Sequence, residues 1–265
     1  MSLPLIPLTV IGSWPRRKVL LRAQKAKRRG QFSHEEFQRV ADEEVLRVLA
    51  LQNEAGVDMV TDGEQRRDSF FSFVAEKLAG VQMMTLAEML DVIEDKAGFE
   101  MILQTLDVPA FSISNATCVG PVSRREPLAV DELRFLKQHT DKPVKVPLPG
   151  PYLLTRGMFV RGVSQPHYET KEALGDAVVA LLREEIVELL EAGADFIQLD
   201  EPVLTEVVFT QGQARTFMCS HLAATNDPTE ELEFAVSLMN RVLDGINFDA
   251  FGARVGLHIC RGNWS

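Results

Sequence analysis

Cysteine is scarce in this chain of 265 residues: Cys118, Cys219 and Cys260 are all it has. An odd, sparse set argues against a disulfide framework and for a reducing compartment. Long apolar runs are missing as well. No uninterrupted stretch approaches the ~18 residues of a membrane span. The apolar N-terminus is broken by Pro4 and Pro7 and has no basic residue before it, so it does not read as a signal peptide. Positive charge is in deficit. The formal net charge of −10 argues against a nucleic-acid partner, because phosphate affinity needs basic surface. These absences predict a soluble cytoplasmic protein, with no nucleic acid and no membrane.

What is present is a large apolar fraction, 46%, enough for one large domain or two small ones. Leu8 to Ile11 reads as a first strand, ended by Gly12-Ser13. Arg16 to Arg29 carries eight Lys or Arg and no acid, a solvated helix face or a dock for an anionic tail. Ser33 to Ala55 is a predicted helix. Ser33 and Glu36 form its capping box, and Phe37, Val40, Ala41, Val45 and Val48 its apolar stripe. Val57 to Thr61 is a second strand, running into Asp62-Gly63-Glu64. Residues 65–108 read as a helical excursion. Ala110 to Ser114 reads as a third strand that leads into a loop bearing Thr117 and Cys118. A short helix covers Asp131 to His139, and Val144 to Leu148 is a fourth strand.

A long helix striped by Leu174, Val178, Leu181, Leu182, Ile186 and Leu189 ends at Gly193. Phe196 to Leu199 is the fifth strand, ended by Asp200-Glu201-Pro202. Asp227-Pro228-Thr229-Glu230 opens another helix with cap, proline and acid in their preferred places. Val255 to Cys260 is the sixth strand. Residues two apart on a strand share a face, so His258 and Cys260 are expected to project together. Imidazole and thiolate are common zinc ligands. A core histidine beside a small thiol is the plainer alternative. Cys219-Ser220-His221 is a second such pair, with nothing to complete a metal site.

Strands alternating with helices predict a parallel β/α architecture. No G-x-G-x-x-G follows the first strand, which disfavours a doubly wound dinucleotide fold. Ser13, Glu64, Asn115, Asp200, His258 and Cys260 all gather at carboxyl ends of strands, where a (β/α)8 barrel keeps its active site. The expected fold class is therefore α/β, a TIM-type (β/α)8 barrel over residues 1–265. Six strands are readable, and two more units would need roughly 60–100 residues, so the barrel is expected to be incomplete at the C-terminus. A weak internal repeat supports the parse: Glu54-Ala55-Gly56-Val57-Asp58-Met59-Val60 matches Glu191-Ala192-Gly193-Ala194-Asp195-Phe196-Ile197. Aligned, Glu64 falls on Glu201.

Four blocks carry a family resemblance, in order: Thr9-Val10-Ile11-Gly12-Ser13, Thr61-Asp62-Gly63-Glu64, Phe196-Ile197-Gln198-Leu199-Asp200-Glu201-Pro202 and Leu257-His258-Ile259-Cys260. Together they resemble the C-terminal catalytic barrel of the cobalamin-independent methionine synthases. The resemblance implies a zinc enzyme that methylates the sulfur of homocysteine to give methionine, from methyltetrahydrofolate or a related donor. It implies that His258 and Cys260 bind zinc. Ile11, Gly12 and Ser13 would contact the amino acid, and Glu64 and Asp200 would hold its ammonium group. Glu206, Thr117 and Cys118 fall where the family contacts folate. Where the family carries a tryptophan after Gly150-Pro151, this chain has Gly157 nearby. A corrinoid protein as methyl source and a homo-oligomer stay open as partner arrangements. A uroporphyrinogen-decarboxylase-like barrel and a non-catalytic binding barrel are the competing expectations.

Overall fold

The computed structural model describes residues 3–85, 88, 114–209 and 227–260, apart from the side chains of residues 206, 208 and 209. Its frame is a run of parallel segments in chain order. Thr9 bridges Met59, and Val60 bridges Val144, both in parallel. Strand β3 (Lys145–Pro149) pairs in parallel with β4 (Phe196–Asp200), and β4 with β5 (Arg254–His258). Each new segment lies beside the one before it. A doubly wound sheet would reverse its order at a switch point, whereas sequential parallel order is the arc of a β/α barrel. Five of the six expected strands take their places in this arc.

The helices between them form for local reasons. Helix α2 (His34–Glu54) begins at the expected capping box: Glu36 N donates to Ser33 Oγ at 3.1 Å, and Ser33 N donates to Glu36 Oε2 at 2.7 Å. This satisfies two otherwise orphaned donors of the first turn. Helix α6 (Lys171–Glu191) buries its predicted stripe, whereas α8 (Pro228–Leu243) buries Ala235, Leu238 and Val242 and leaves Leu232 and Val236 exposed. Asp227 Oδ1 caps α8 by accepting from Thr229 N and Glu230 N at 2.8 and 3.2 Å. The repeat is structural: Gly56 and Gly193 both take left-handed φ, 73° and 89°, just past a helix end, where glycine avoids the Cβ penalty. Outward residues Val146, Leu148, Ile197 and Leu199 join Val178, Leu182, Ile186 and Leu238 in one core.

Two expectations fail on the same feature. Residues 65–108 are not simply helical, and Asn115 to Gly120 is not a loop. A short helix α3 (Val74–Lys77) leads into β1 (Leu78–Thr85), which pairs antiparallel with β2 (Ser114–Arg124). Strand β2 therefore stands outside the parallel arc, and the expected third strand, Ser114 apart, lies outside the described residues. The sequence Ala79-Gly80-Val81-Gln82-Met83-Met84 has little β propensity of its own. Pairing with β2, across a register shift between Ala79 and Val81, overrides it.

Strand β3 contains Pro147 and Pro149. Its ladder to β4 is complete from Lys145↔Phe196 to Pro149↔Asp200. On its other side pairing stops at Val60↔Val144, after Lys145 N donates to Val60 O at 2.9 Å.

Candidate active site

Alternation along the strands sorts their residues into an outward core set and an inward set. Lys145, Pro147 and Pro149 of β3 stand beside Phe196, Gln198 and Asp200 of β4, and these beside Arg254, Gly256 and His258 of β5. Asp200 and His258 are direct cross-strand partners at the carboxyl end. Around this row the chain has buried an unusual number of polar side chains: Thr61, Asp62, Glu64, Arg67, Glu132, Lys145, Gln198 and Asp200.

Glu64 is the most telling of them. Its backbone is left-handed, φ 53°, the one such non-glycine among the described residues. The turn is held by Asp62 Oδ1, which accepts from Glu64 N at 2.9 Å, and by Arg16, whose Nη2 donates to Glu64 O at 3.1 Å and Arg67 O at 2.8 Å. The Glu64 side chain is only 2% exposed, and its Oε2 has no hydrogen-bond partner. Burial pushes its carboxyl up to about 7, against the pull of Arg67, while Asp62, Asp200 and Glu132 push it further up. Gly12 lies against it, and a Cβ on Gly12 would come within 2.6 Å of Glu64 Oε1. The two expected site elements, the loop after the first strand and the second strand end, therefore meet.

Asp200 completes the cluster. Burial raises its pKa; the hydrogen bond from Gln198 and the charges of His258, Arg67 and Lys145 pull the other way. Gln198 Nε2 donates both to Asp200 Oδ1 at 2.8 Å and to Ile11 O at 3.0 Å. Lys145 Nζ donates to Gln198 Oε1 at 3.0 Å and to Val10 O. Burial draws this ammonium down to about 8, opposed by Asp200 and Glu64. Beneath the site, Arg67 makes a forked ion pair with Glu132, 2.7 to 3.3 Å, and donates to Pro147 O at 2.9 Å.

The remaining expected residues are placed as follows. Ile11 and Ser13 are exposed beside buried Gly12. His258 and Cys260 are half-buried, whereas the alternating Leu257 and Ile259 are exposed, which puts the imidazole and the thiol on one side. Cys260 O accepts from Thr205 Oγ1 at 2.6 Å, in helix α7 (Val203–Phe209). Imidazole and thiol are donors that suit zinc. Among the described residues no group of three His, Cys, Asp or Glu could hold a metal ion. Thr117 and Cys118 are fully buried in β2 rather than in a loop. Cys118 joins the core, its thiol donating to Gly120 O at 3.3 Å. Glu206 falls in α7, its side chain outside the description, as are Cys219 and His221. Gly157 carries no side chain because the Phe71 ring occupies the space a Cβ would need.

Sequence reasoning missed Lys145, Gln198, Arg67 and Glu132. Lys145 and Gln198 were findable: each interrupts an apolar strand at the parity that faces inward with Asp200.

Fold and site together define a β/α-barrel scaffold with an acidic, buried cluster at the carboxyl ends of its strands. A family model, the catalytic domain of cobalamin-independent synthase, matches residues 6–227, and the chain belongs to that family. It is 30% identical over its whole length to a methionine synthase of Saccharolobus solfataricus, of which it spans 65%. It is 28% identical to the methionine synthase of Thermococcus kodakarensis, spanning 64%. The chain thus spans a little under two thirds of the length of these relatives. A solved B12-independent methionine synthase from Shewanella, in complex with selenomethionine, superposes with a TM-score of 0.60 at 26% identity, over 88% of this chain and 55% of that one. A structure from Listeria monocytogenes shares the fold across the whole chain, TM-score 0.67 at 19% identity.

Proposed function

We propose that this chain forms the amino-acid-binding part of a methyltransferase that moves a methyl group onto the sulfur of homocysteine, giving methionine. The observation that carries this reading is the buried Glu64 carboxylate, with one oxygen unpartnered, facing Gly12 and close enough to Asp200 to be coupled to it electrostatically. The unpartnered Glu64 oxygen in a buried site calls for a donor, and between two carboxylates a positively charged one is favoured. An α-ammonium group supplies it and brings three donors. Its arrival favours the charged form of Glu64, and Gly12 leaves room for the Glu64 carboxylate itself.

His258 stands directly across from Asp200. An amino acid with its ammonium on Asp200 and Glu64 therefore carries its side chain toward His258 and Cys260. Zinc held by these two, with further donors from outside the described residues, would favour the thiolate form of the substrate sulfur. The chain's own residues bind and orient: the acidic pair fixes one end of the substrate, and β5 receives the other. Methyl transfer then forms an S–C bond as the bond from the methyl carbon to the donor breaks, the geometry being set by the bound pose. The donor is methyltetrahydrofolate or a related methyl carrier.

The test has two arms. Calorimetry should show L-homocysteine binding with Glu64 intact, and methyl transfer to it should follow with a methylated pterin supplied. Cobalt(II) substituted for zinc should give a thiolate charge-transfer band that Cys260→Ser abolishes. A protein that neither binds nor methylates homocysteine rules the reading out.

A further inference from the structure

The Lys145–Gln198 pair has no place in the parts assigned so far. Both side chains face inward from β3 and β4, and both are buried, Lys145 at 3% exposure and Gln198 at 8%. Burying a lysine is costly unless its charge is matched. An apolar side chain at position 145 would fill the same space without that cost.

The geometry of the amide is informative. An ammonium can only donate, so the Gln198 atom facing Lys145 must be its oxygen. The NH2 end is thereby turned the other way. Its two hydrogens go to Asp200 Oδ1 and to the carbonyl of Ile11. The second bond of Lys145 runs to Val10 O, on the same loop. Every donor and acceptor of the amide side chain has a partner, and the four groups involved come from three different segments of the barrel. One amide thus sets the position of Asp200 relative to the loop at Val10–Gly12, and one lysine decides which way round that amide stands.

We propose that Lys145 and Gln198 are positioning residues that hold Asp200 and the Ile11 loop in the arrangement that reads the α-ammonium group of the substrate. The assignment rests on the amino-acid reading above. Neither residue touches the substrate; both act through Asp200 and the Ile11 carbonyl. It follows that they govern discrimination between ligands that carry an amine and ligands that do not.

The experiment compares L-homocysteine with 4-mercaptobutanoate, the same thiol acid without its amine, by calorimetry on the intact protein. The wild type should prefer homocysteine. Lys145→Met frees the amide to turn, and Gln198→Met removes it. Each should cut that preference at least tenfold, with the affinity for 4-mercaptobutanoate moving less than threefold. Should either single variant fold poorly, the double variant Lys145→Met/Gln198→Met removes both ends of the Lys145–Gln198 bond together, so that neither side chain is left unpaired by loss of the other, and it should show the same loss. Folded variants that keep the wild-type preference overturn the assignment. So does an equal loss for both ligands, which marks the pair as structural support alone. A wild type that does not discriminate overturns the amino-acid reading itself, and this assignment with it.

Discussion

Glu64 and Glu201 end the two aligned halves of the internal repeat, and both are buried glutamates just past an inner strand. Their surroundings differ. The carboxylate of Glu201 accepts from Tyr152 N at 2.7 Å and Leu153 N at 2.9 Å, the first turn of helix α5 (Pro151–Met158). Gly150 at the N-cap has no side chain to do this, and the Glu201 carboxylate occupies the space its Cβ would take. Glu201 is thus a helix cap delivered from a neighbouring strand. Burial still lifts its carboxyl to about 8, with the two backbone donors pulling down. Glu64 has no helix to cap, and one oxygen is left without a partner. The same residue type at the same aligned place is structural where its oxygens are used and available for ligand where they are not.

The largest effect should come from the satisfied member. Glu201→Ala leaves two helix donors without their acceptor and should cost roughly 2–4 kcal/mol of stability, read from urea unfolding. A loss under about 1 kcal/mol would remove the contrast. Glu64→Gln should not lower stability and should weaken homocysteine binding by about 1.5–3 kcal/mol, one charge-assisted hydrogen bond. Asp200→Asn should act in the same direction. Unchanged calorimetric affinity in both folded variants would place the ammonium elsewhere.

Proton linkage sharpens the comparison further. Both glutamates have folded values raised above the usual range, to about 7 and about 8. Between the unfolded value near 4.5 and these values the native state holds protons that the unfolded chain has released. Their contribution to stability is full below the unfolded value and is lost as pH rises through about 7 to 8. Melting temperature should fall over that window, and Glu64→Gln should remove the lower part of the slope. Homocysteine binding should run the opposite way, strengthening as pH rises through 7, because the proton and the ammonium compete for Glu64. The smallest effect is expected at Cys118, where Cys118→Ser keeps a donor for Gly120 O. It should cost about 1 kcal/mol or less and leave amino-acid affinity alone.

The parallel arc was legible because its signals are local. Capping boxes, Gly turns and short apolar runs mark the segments at Ser33, Gly56, Gly193 and Asp227, and period-two parity puts Asp200 and His258 on the inner face. The β1–β2 ribbon was not legible. Its stability lies in pairing between stretches some forty residues apart, and Gln82, Met83 and Met84 do not announce a strand. Within the site, Glu64 and Asp200 were found because they follow strands, whereas Lys145 and Gln198 sit inside them, where an apolar reading absorbs a lone polar residue. Arg67 and Glu132 could not be paired from sequence, because nothing in either segment names the other.

The prolines of β3 have a consequence for how the wall of the barrel is sewn. Along a parallel strand, alternate residues turn their N–H groups to opposite neighbours. Lys145 donates toward Val60, so positions 147 and 149 face the same way, and there proline has nothing to donate. The stitching toward β4 is untouched, while the seam toward Val60 comes undone just where the strand ends reach the site. The carbonyl left over at Pro147 is taken by the Arg67 side chain. Released from the ladder, the chain after Thr61 can turn through the left-handed bend that swings Glu64 inward. Two imino acids on one strand thus act as a slit in the fabric, through which an acidic side chain from the adjoining strip reaches the lumen.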